Sequence, residues 1–451
     1  MKKIFSLLAC FITVLSIQSL AYANQIDKTI NKSEINKSSV SISLKDIDSG
    51  KVVYKLNDKQ PTMPASTLKV ITLAASLNQL GNDYMFSTEL YKNTNNELFV
   101  KLGADPYLKS SELKKMFKRA VANKHIVSPK AIYIDNYIFD DTEWGEGWQW
   151  DDDLNPLMPK FSSFNIDRNL LGIIIIPTTQ GSPANIFTSE FYPTTFMNLV
   201  TTSNTEKNNI KIGRNNNISP TMLTVEGIVK KQEEIFIPVN HPKRYFLLRL
   251  DEAISGAKMG YYGKYSQKKL PTTNVYLVDK VEHSIDEAIP DILKNSNNFV
   301  AETIFKLAGG AFVKNTGSLN NSVKMLNNYF DKLGLDYKDI KIVDGSGVSK
   351  NNIMTADFMT EFLSKKEVAD VLKPILATPG EGTLRTRMLY FQNNLSAKTG
   401  TLSDVSAITG YITTRSGKNY AFDIMINDPK TKSGDKKSLE EYILRDIYTE
   451  Y

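Results

Sequence analysis

The period of hydrophobic and polar positions changes several times along the chain, and each change predicts an element. Val40-Ser41-Ile42-Ser43-Leu44 alternates, turn residues fill 46–50, and Lys51-Val52-Val53-Tyr54 returns, which predicts a β-hairpin. From Ser66 the period becomes helical: Val70, Leu73, Ala74 and Leu77 share one face, and Gly81 is a stop signal. Between 91 and 285 short strand-like runs dominate, at 98–102, 131–134, 171–176, 222–229 and 234–239, punctuated by Gly, Pro and Asn. Residues 24–38 are polar and predict a mobile segment, and the Asn-rich stretch 204–217 predicts a loop. Helical spacing returns at about Ile285, over 298–308, 322–333 and 356–363, with Gly334 after the second. Strands at 406–414 and 419–426 and a helix from about 437 to 448 close the chain. This order predicts one α/β domain, formed by 24–90 and 286–451, split by a mainly β insert at 91–285.

The first residues follow a different logic. Lys2 and Lys3 precede an apolar run from Ile4 to about Leu20, and Ala21-Tyr22-Ala23 offers small residues at the first and third positions before a cut. The pattern predicts a signal peptide over 1–23, cleaved after Ala23, and hence a periplasmic mature protein starting at Asn24. An uncleaved anchor is the alternative. Leu7-Leu8-Ala9-Cys10 resembles a lipoprotein cleavage box, but it leaves too short an apolar run ahead of the cut.

Composition narrows the function classes. With 451 residues, 41% hydrophobic and 23% charged, the chain can bury a core in two or three domains. Loss of Lys2 and Lys3 takes the formal charge from +6 to +4, and no block of five or more Lys/Arg occurs, so nucleic acid is not an expected partner. The single cysteine, Cys10, lies in the signal segment, which excludes thiol catalysis and Cys-based zinc sites from the mature protein. The three histidines, His125, His241 and His283, fall in the insert; none has HExxH spacing and none neighbours a GxSxG elbow. No metal and no cofactor are expected, and a Ser-His-Asp hydrolase is disfavoured.

A different serine arrangement is present. Ser66-Thr67-Leu68-Lys69 is an SxxK at a helix start, and a spacing of three puts both side chains on one face. A serine hydroxyl needs a base, and a partly buried lysine with a lowered pKa can act as one. Alone the motif is weak, since Ser66 could simply cap the helix. Lys398-Thr399-Gly400-Thr401 is stronger, because KTG is expected well under once in a chain of this composition. A strand there would present an ammonium and a hydroxyl, and Gly400 would allow close packing against the helix. Ser349-x-Asn351, within Asp344-Gly345-Ser346-Gly347-Val348-Ser349-Lys350-Asn351-Asn352, is an SxN able to relay a proton and hold a carbonyl. By itself it reads equally as a Gly-rich turn.

SxxK, SxN and KTG in that order resemble the penicillin-binding proteins and serine β-lactamases. Met63-Pro64-Ala65-Ser66, Gly103-Ala104-Asp105-Pro106, Ile134-Asp135-Asn136-Tyr137-Ile138-Phe139, Gly147-Trp148-Gln149-Trp150-Asp151, Asp167-Arg168-Asn169, Asn297-Asn298-Phe299-Val300-Ala301-Glu302, Gly382-Thr383-Leu384-Arg385 and Leu395-Ser396-Ala397 with the KTG resemble one subgroup in particular. That subgroup is the type-4 penicillin-binding proteins, D-alanyl-D-alanine carboxypeptidases and endopeptidases with a large insert. The spacing of 283 from Ser66 to Ser349 fits it, whereas ordinary serine β-lactamases carry no comparable insert.

The resemblance implies a transpeptidase-like domain, an antiparallel sheet with helices, interrupted by two mainly β domains (about 91–165 plus 255–285, with a nested one at about 166–254). It implies Ser66 as nucleophile, Lys69 as base, Ser349 as proton relay and Asn351 as a peptide-holding amide. Lys398 and Thr399 would bind the substrate carboxylate, and the Ser66 and Thr401 N–H groups would form an oxyanion hole. Asp135 would read a free amine on the stem peptide, with Leu402 lining the apolar part of that pocket. Peptidoglycan stem peptides are the implied substrates and β-lactams the covalent inhibitors, with no oligomeric state implied. A β-lactamase-like hydrolase and a non-catalytic cell-wall binding protein are the alternatives.

Overall fold

The computed structural model describes residues 25–123, 126, 128–214 and 221–451. The predicted signal segment, its cleavage site and His125 lie outside the described residues. No helix among the described residues is long and apolar enough to cross a membrane. The chain forms two compact units. One comprises Met1–Gln79, Asp286–Asn297 and Val323–Tyr451, the other Leu80–Ile285 and Asn298–Ser322.

The first unit is built on a five-stranded antiparallel sheet. In spatial order its strands are Leu395–Thr401, Val405–Thr413, Asn419–Asn427, Val40–Asp46 and Val52–Leu56. Ile42, Leu44, Ile408, Phe422, Ile424 and Ile426 turn one face into a core shared with Leu439, Ile443, Leu444 and Ile447 of the last helix, Ser433–Glu450. The alternation at 40–44 reads as a half-buried strand, yet Ser41 and Ser43 are also fully buried. The helix Ala356–Leu363 covers their face, and the Ser43 and Thr360 hydroxyls share a hydrogen bond of 2.7 Å. Small polar residues line that buried face, which is why a two-sided core hides behind an alternating pattern.

The expectation of a mobile segment at 24–38 is corrected. Residues 25–32 are helical, and Ile26, Ile30 and Ile35 are buried in the same core. Two isoleucines four apart make an apolar stripe even in a polar segment.

The second unit has a five-stranded mixed sheet, ordered Ser266–Gln267, Ala131–Asp135, Glu97–Leu102, Met85–Asn93 and Val275–Ser284. Two three-stranded sheets accompany it. One places Leu170–Ile176 between Glu233–Pro238 and Asn185–Thr188; the other places Met222–Val229 between Thr195–Thr202 and Asn209–Arg214. Two helices that the periodicity did not pick out, Ser110–Ala122 and Pro242–Gly256, join the same core through Leu113, Met116, Phe117, Phe246, Leu250 and Ala253. Asn209–Arg214 corrects the predicted loop at 204–217: Ile210 and Ile212 alternate with exposed neighbours and pack on that core, outweighing the asparagines around them. His283 is a packed residue here, its Nδ1 2.7 Å from the Asp105 carboxylate.

Candidate active site

The strands and helices of the first unit bring the SxxK, SxN and KTG segments together. Ser66 sits in a single 3-10 turn, Ala65–Leu68, that runs into the α-helix Lys69–Leu80. Apolar residues of that helix (Val70, Ile71, Leu73, Leu77) are buried and anchor it. Ala65 enters the turn with φ of +49°, a conformation that costs a residue with a side chain about 1 kcal/mol or more and persists only where the surroundings enforce it.

Two glycines supply that enforcement. A Cβ on Gly400 would stand 2.9 Å from both the Pro64 carbonyl oxygen and the Ser66 nitrogen. A Cβ on Gly347, whose φ is +79°, would collide with the Ala65 carbonyl. The KTG strand and the SxN loop thus press on the serine turn from two directions, at a distance only glycine permits.

Lys69 is fully buried one turn from the serine. Its Nζ lies 2.9 Å from Ser66 Oγ and donates to the Ser346 carbonyl at 2.6 Å. Thr72, one turn further along the helix, donates to the Gly345 carbonyl at 2.7 Å and ties the helix to the same loop.

Asp344 organises the SxN loop, a part that sequence reasoning left without a role. Its buried carboxylate accepts from the Gly347 N–H at 2.8 Å, the Ser349 N–H at 2.7 Å and the Asn352 amide at 2.8 Å. Ser349 is 1% exposed, and its hydroxyl accepts from the Asn351 N–H at 3.2 Å; Asn351 itself is exposed. Lys350, between them, reaches Asp404 at 2.8 Å in the turn after the KTG strand.

Lys398 is fully buried and points from its strand to the face that carries Ala65 and Met425. Its Nζ donates to the Ser296 hydroxyl at 2.8 Å and to the Thr399 carbonyl at 2.7 Å. Burial pushes its pKa well below the usual lysine value, and the nearby Lys69 charge pushes the same way. The Thr399 hydroxyl donates to Thr383 Oγ1 at 2.8 Å. Thr401 is exposed, and Leu402 packs partly buried against the cluster around Ala65. Leu395–Thr401 is an edge strand, and the Ala397 N–H leaves its ladder for the Ala377 carbonyl. Alternation along an antiparallel strand then turns the Thr399 and Thr401 N–H groups out of the same edge.

Ser296 and Thr383 were missed as site residues. Ser296 opens Ser296-Asn297-Asn298, a second SxN that was passed over, and Thr383 lies in the Gly382–Arg385 segment without having been given a role; the fold joins them to Lys398 and Thr399, 102 and 16 residues away along the chain. Asp135 belongs to the other unit. It ends the strand Ala131–Asp135, is 8% exposed, and accepts from the Leu270 N–H at 2.8 Å and the Tyr137 N–H at 3.3 Å.

No histidine occurs in the sequence segments that form the first unit, so a lysine stands where most serine hydrolases put an imidazole. That exchange, with the 344–352 loop and the KTG strand pressing on the turn that carries the serine, defines a serine acyl-enzyme of the penicillin-recognising class. The chain belongs to the D-Ala-D-Ala carboxypeptidase 3 (S13) family, whose pattern matches residues 22–444. It is a serine-type D-Ala-D-Ala carboxypeptidase.

Among its relatives is a D-alanyl-D-alanine carboxypeptidase from Actinomadura sp. strain R39, 24% identical over 414 residues, covering 85% of this chain and 76% of that one. D-alanyl-D-alanine carboxypeptidase DacB from Haemophilus influenzae is 22% identical over 487 residues, covering 99% and 100%. A crystal structure of penicillin binding protein 4 (dacB) from the same organism shares the fold, with a TM-score of 0.81 at 21% identity over 94% of this chain and 99% of that one. A second structure of that protein, complexed with a β-lactam, superposes at 0.77 over the same shares, at 20% identity.

Proposed function

We propose that Ser66 is the nucleophile and Lys69 its base, and that the enzyme trims peptidoglycan stem peptides ending in D-Ala-D-Ala. The observation that carries this reading is the 2.9 Å approach of the fully buried Lys69, through Nζ, to Ser66 Oγ. The hydroxyl attacks the penultimate D-alanine carbonyl as its proton passes to Lys69. The oxyanion is met by the Ser66 and Thr401 N–H groups; the close approach of Gly400 to the Ser66 nitrogen supports that pairing, and the start of the helix Lys69–Leu80 adds its positive end. Ser349, held by Asp344, passes the proton to the leaving amine. Asn351 holds the peptide, and Lys398 with Thr399 binds the terminal carboxylate. Water then releases the acyl-enzyme.

The same serine would open D-Ala cross-links as an endopeptidase and would be acylated by β-lactams, as the complexed structure of the H. influenzae protein suggests for this chain. Such substrates lie outside the cytoplasm, in keeping with export through a signal peptide cut after Ala23. Asp135 recognises a free amine on the stem peptide, Leu402 meets an apolar part of the substrate, and the insert carries a nested domain at about 166–254.

The test is incubation of the mature protein with labelled penicillin, then with a D-Ala-D-Ala pentapeptide. Stable labelling, D-alanine release, and loss of both in a folded Ser66→Ala variant are expected. Labelling that survives the substitution refutes the nucleophile, and rapid hydrolysis of the label makes the enzyme a β-lactamase.

A further inference from the structure

The second unit holds a cavity of about 190 Å³ lined by basic residues from three separate segments: Lys160, Arg214 at the end of the strand Asn209–Arg214, and His241 just ahead of the helix Pro242–Gly256. Trp144 and Asp153 share its wall. The Arg214 side chain is only 7% exposed, and its Nε lies 2.5 Å from the Asp153 carboxylate. Lys160 donates to the Asn240 carbonyl at 2.9 Å and stands 3.8 Å from the Glu143 carboxylate. Arg244, exposed on the first turn of the helix, adds a further positive charge beside His241.

Three features of this place suit an anion. Partial burial pushes the His241 pKa below the ordinary histidine value, and Lys160, Arg244 and Arg214 push the same way, so positive potential concentrates at the imidazole. The helix that starts here has Pro242 in its first turn, and the Lys243 and Arg244 N–H groups have no intrahelical acceptor; the His241 side chain does not cap them. Behind the cavity, a smaller recess shares Arg214, Pro238, Val239 and Asn240 with it and is lined by Tyr192. Tyr192 is 8% exposed, and its hydroxyl has no acceptor for its proton among the described residues. A buried donor left in that state is costly, and an anion drawn in beside Arg214 would accept from it.

We propose that this cavity is a binding site for a carboxylate of an acidic peptide, separate from the residues that carry out acyl transfer. A guanidinium matches the planar carboxylate group, and charge-assisted bonds from Arg214, Arg244 and Lys160 hold it. The Trp144 ring gives the carbon part of the ligand an apolar wall. The volume suits one acidic side chain or chain end rather than a folded partner. The site stands on its own geometry and does not depend on the reading of Ser66.

The test follows the imidazole of His241, one of three histidines in the chain, by NMR. Acetyl-alanyl-glutamate, an acidic dipeptide without a D-Ala-D-Ala end, should raise the His241 pKa, because a bound anion favours the imidazolium, and should leave His283 unmoved. Its diamide, sodium chloride at the same ionic strength and inorganic phosphate are run beside it. Arg214→Met and Arg244→Met should each weaken dipeptide binding about tenfold, the scale of one hydrogen bond to a charged group. Tyr192→Phe should melt at or above the parent temperature, since it removes an unmet donor, and bind the dipeptide several-fold more weakly. A His241 that the dipeptide moves no further than the diamide or the chloride does overturns the proposal. A response to phosphate without one to the dipeptide makes the occupant a phosphate and overturns the carboxylate assignment. Full affinity in both arginine variants overturns the site itself. No turnover enters these measurements, so they decide the matter whether or not Ser66 proves to be the nucleophile.

Discussion

Gly400 lies so near Ser66 that a methyl group on it would stand 2.9 Å from the Ser66 backbone nitrogen, tighter than ordinary packing allows. The flanking Pro64 carbonyl at 2.9 Å and Ala65 side chain at 3.0 Å leave that methyl no other room. Gly400→Ala should separate the KTG strand from the serine turn by a fraction of an ångström. A shift of that order is expected to slow acylation by up to about 10²-fold, the cost of a misplacement near 1 Å, while leaving most of the fold intact. Stopped-flow acylation by a chromogenic penicillin, beside a far-UV melt, measures both. Unchanged acylation would show that the strand and the turn need not touch.

Asp344 meets three donors of the SxN loop. Asp344→Ala strands the Gly347 and Ser349 N–H groups and the Asn352 amide, and should lower stability by at least about 3 kcal/mol in a urea titration. Even at temperatures where the variant is folded, D-alanine release should fall with it, because Ser349 loses its anchor. A neutral outcome in both measurements would remove Asp344 from any role in shaping the loop.

Asp423 is buried in the middle of the catalytic sheet, paired across the strands with Thr409 and Ser43. Burial raises its pKa well above the usual aspartate value, and the Thr409 hydroxyl opposes this only in part. A carboxyl with a raised folded-state pKa contributes its stability below the unfolded value, near 3.9, and loses it as the pH climbs through the folded value. Asp423→Asn keeps the shape without the charge. Its melting temperature should match the parent near pH 4 and exceed it increasingly toward pH 8. A gap that is constant across this range would show that Asp423 does not titrate on unfolding.

Asp135→Asn should weaken turnover of stem peptides with a free side-chain amine by roughly 1 to 3 kcal/mol in kcat/KM, as an ammonium loses its charged partner. Penicillin acylation should change little. The Leu270 and Tyr137 N–H groups already occupy part of the carboxylate, and asparagine can still accept through its one oxygen. Equal loss on peptide and penicillin would mean that these backbone bonds are the whole of its role.

The motifs were legible because each is a run of neighbours along the chain. Ser66 and Lys69 need only one helical turn to meet, and the strands at 222–229 and 419–427 declare themselves through β-branched alternation. What stayed hidden depends on approach in space. Ser296 touches Lys398, and Thr383 touches Thr399, through loops whose local sequence carries no period. Composition misled in two places. Asparagines around Ile210 and Ile212 masked a strand, and lysines and serines around Ile26 and Ile30 masked a helix, because tertiary burial of two isoleucines outweighs the propensities of their neighbours.

In the sheet of the first unit the strand Val40–Asp46 pairs on one side with the central strand, Asn419–Asn427. A growing polypeptide therefore exposes Ser66 and Lys69 early but cannot seat them until almost its last residues exist. The long stretch in between can collapse around its own core while the first strand waits for its neighbour. A chain that stops short of Lys398 holds the serine and lacks the strand that closes on its turn.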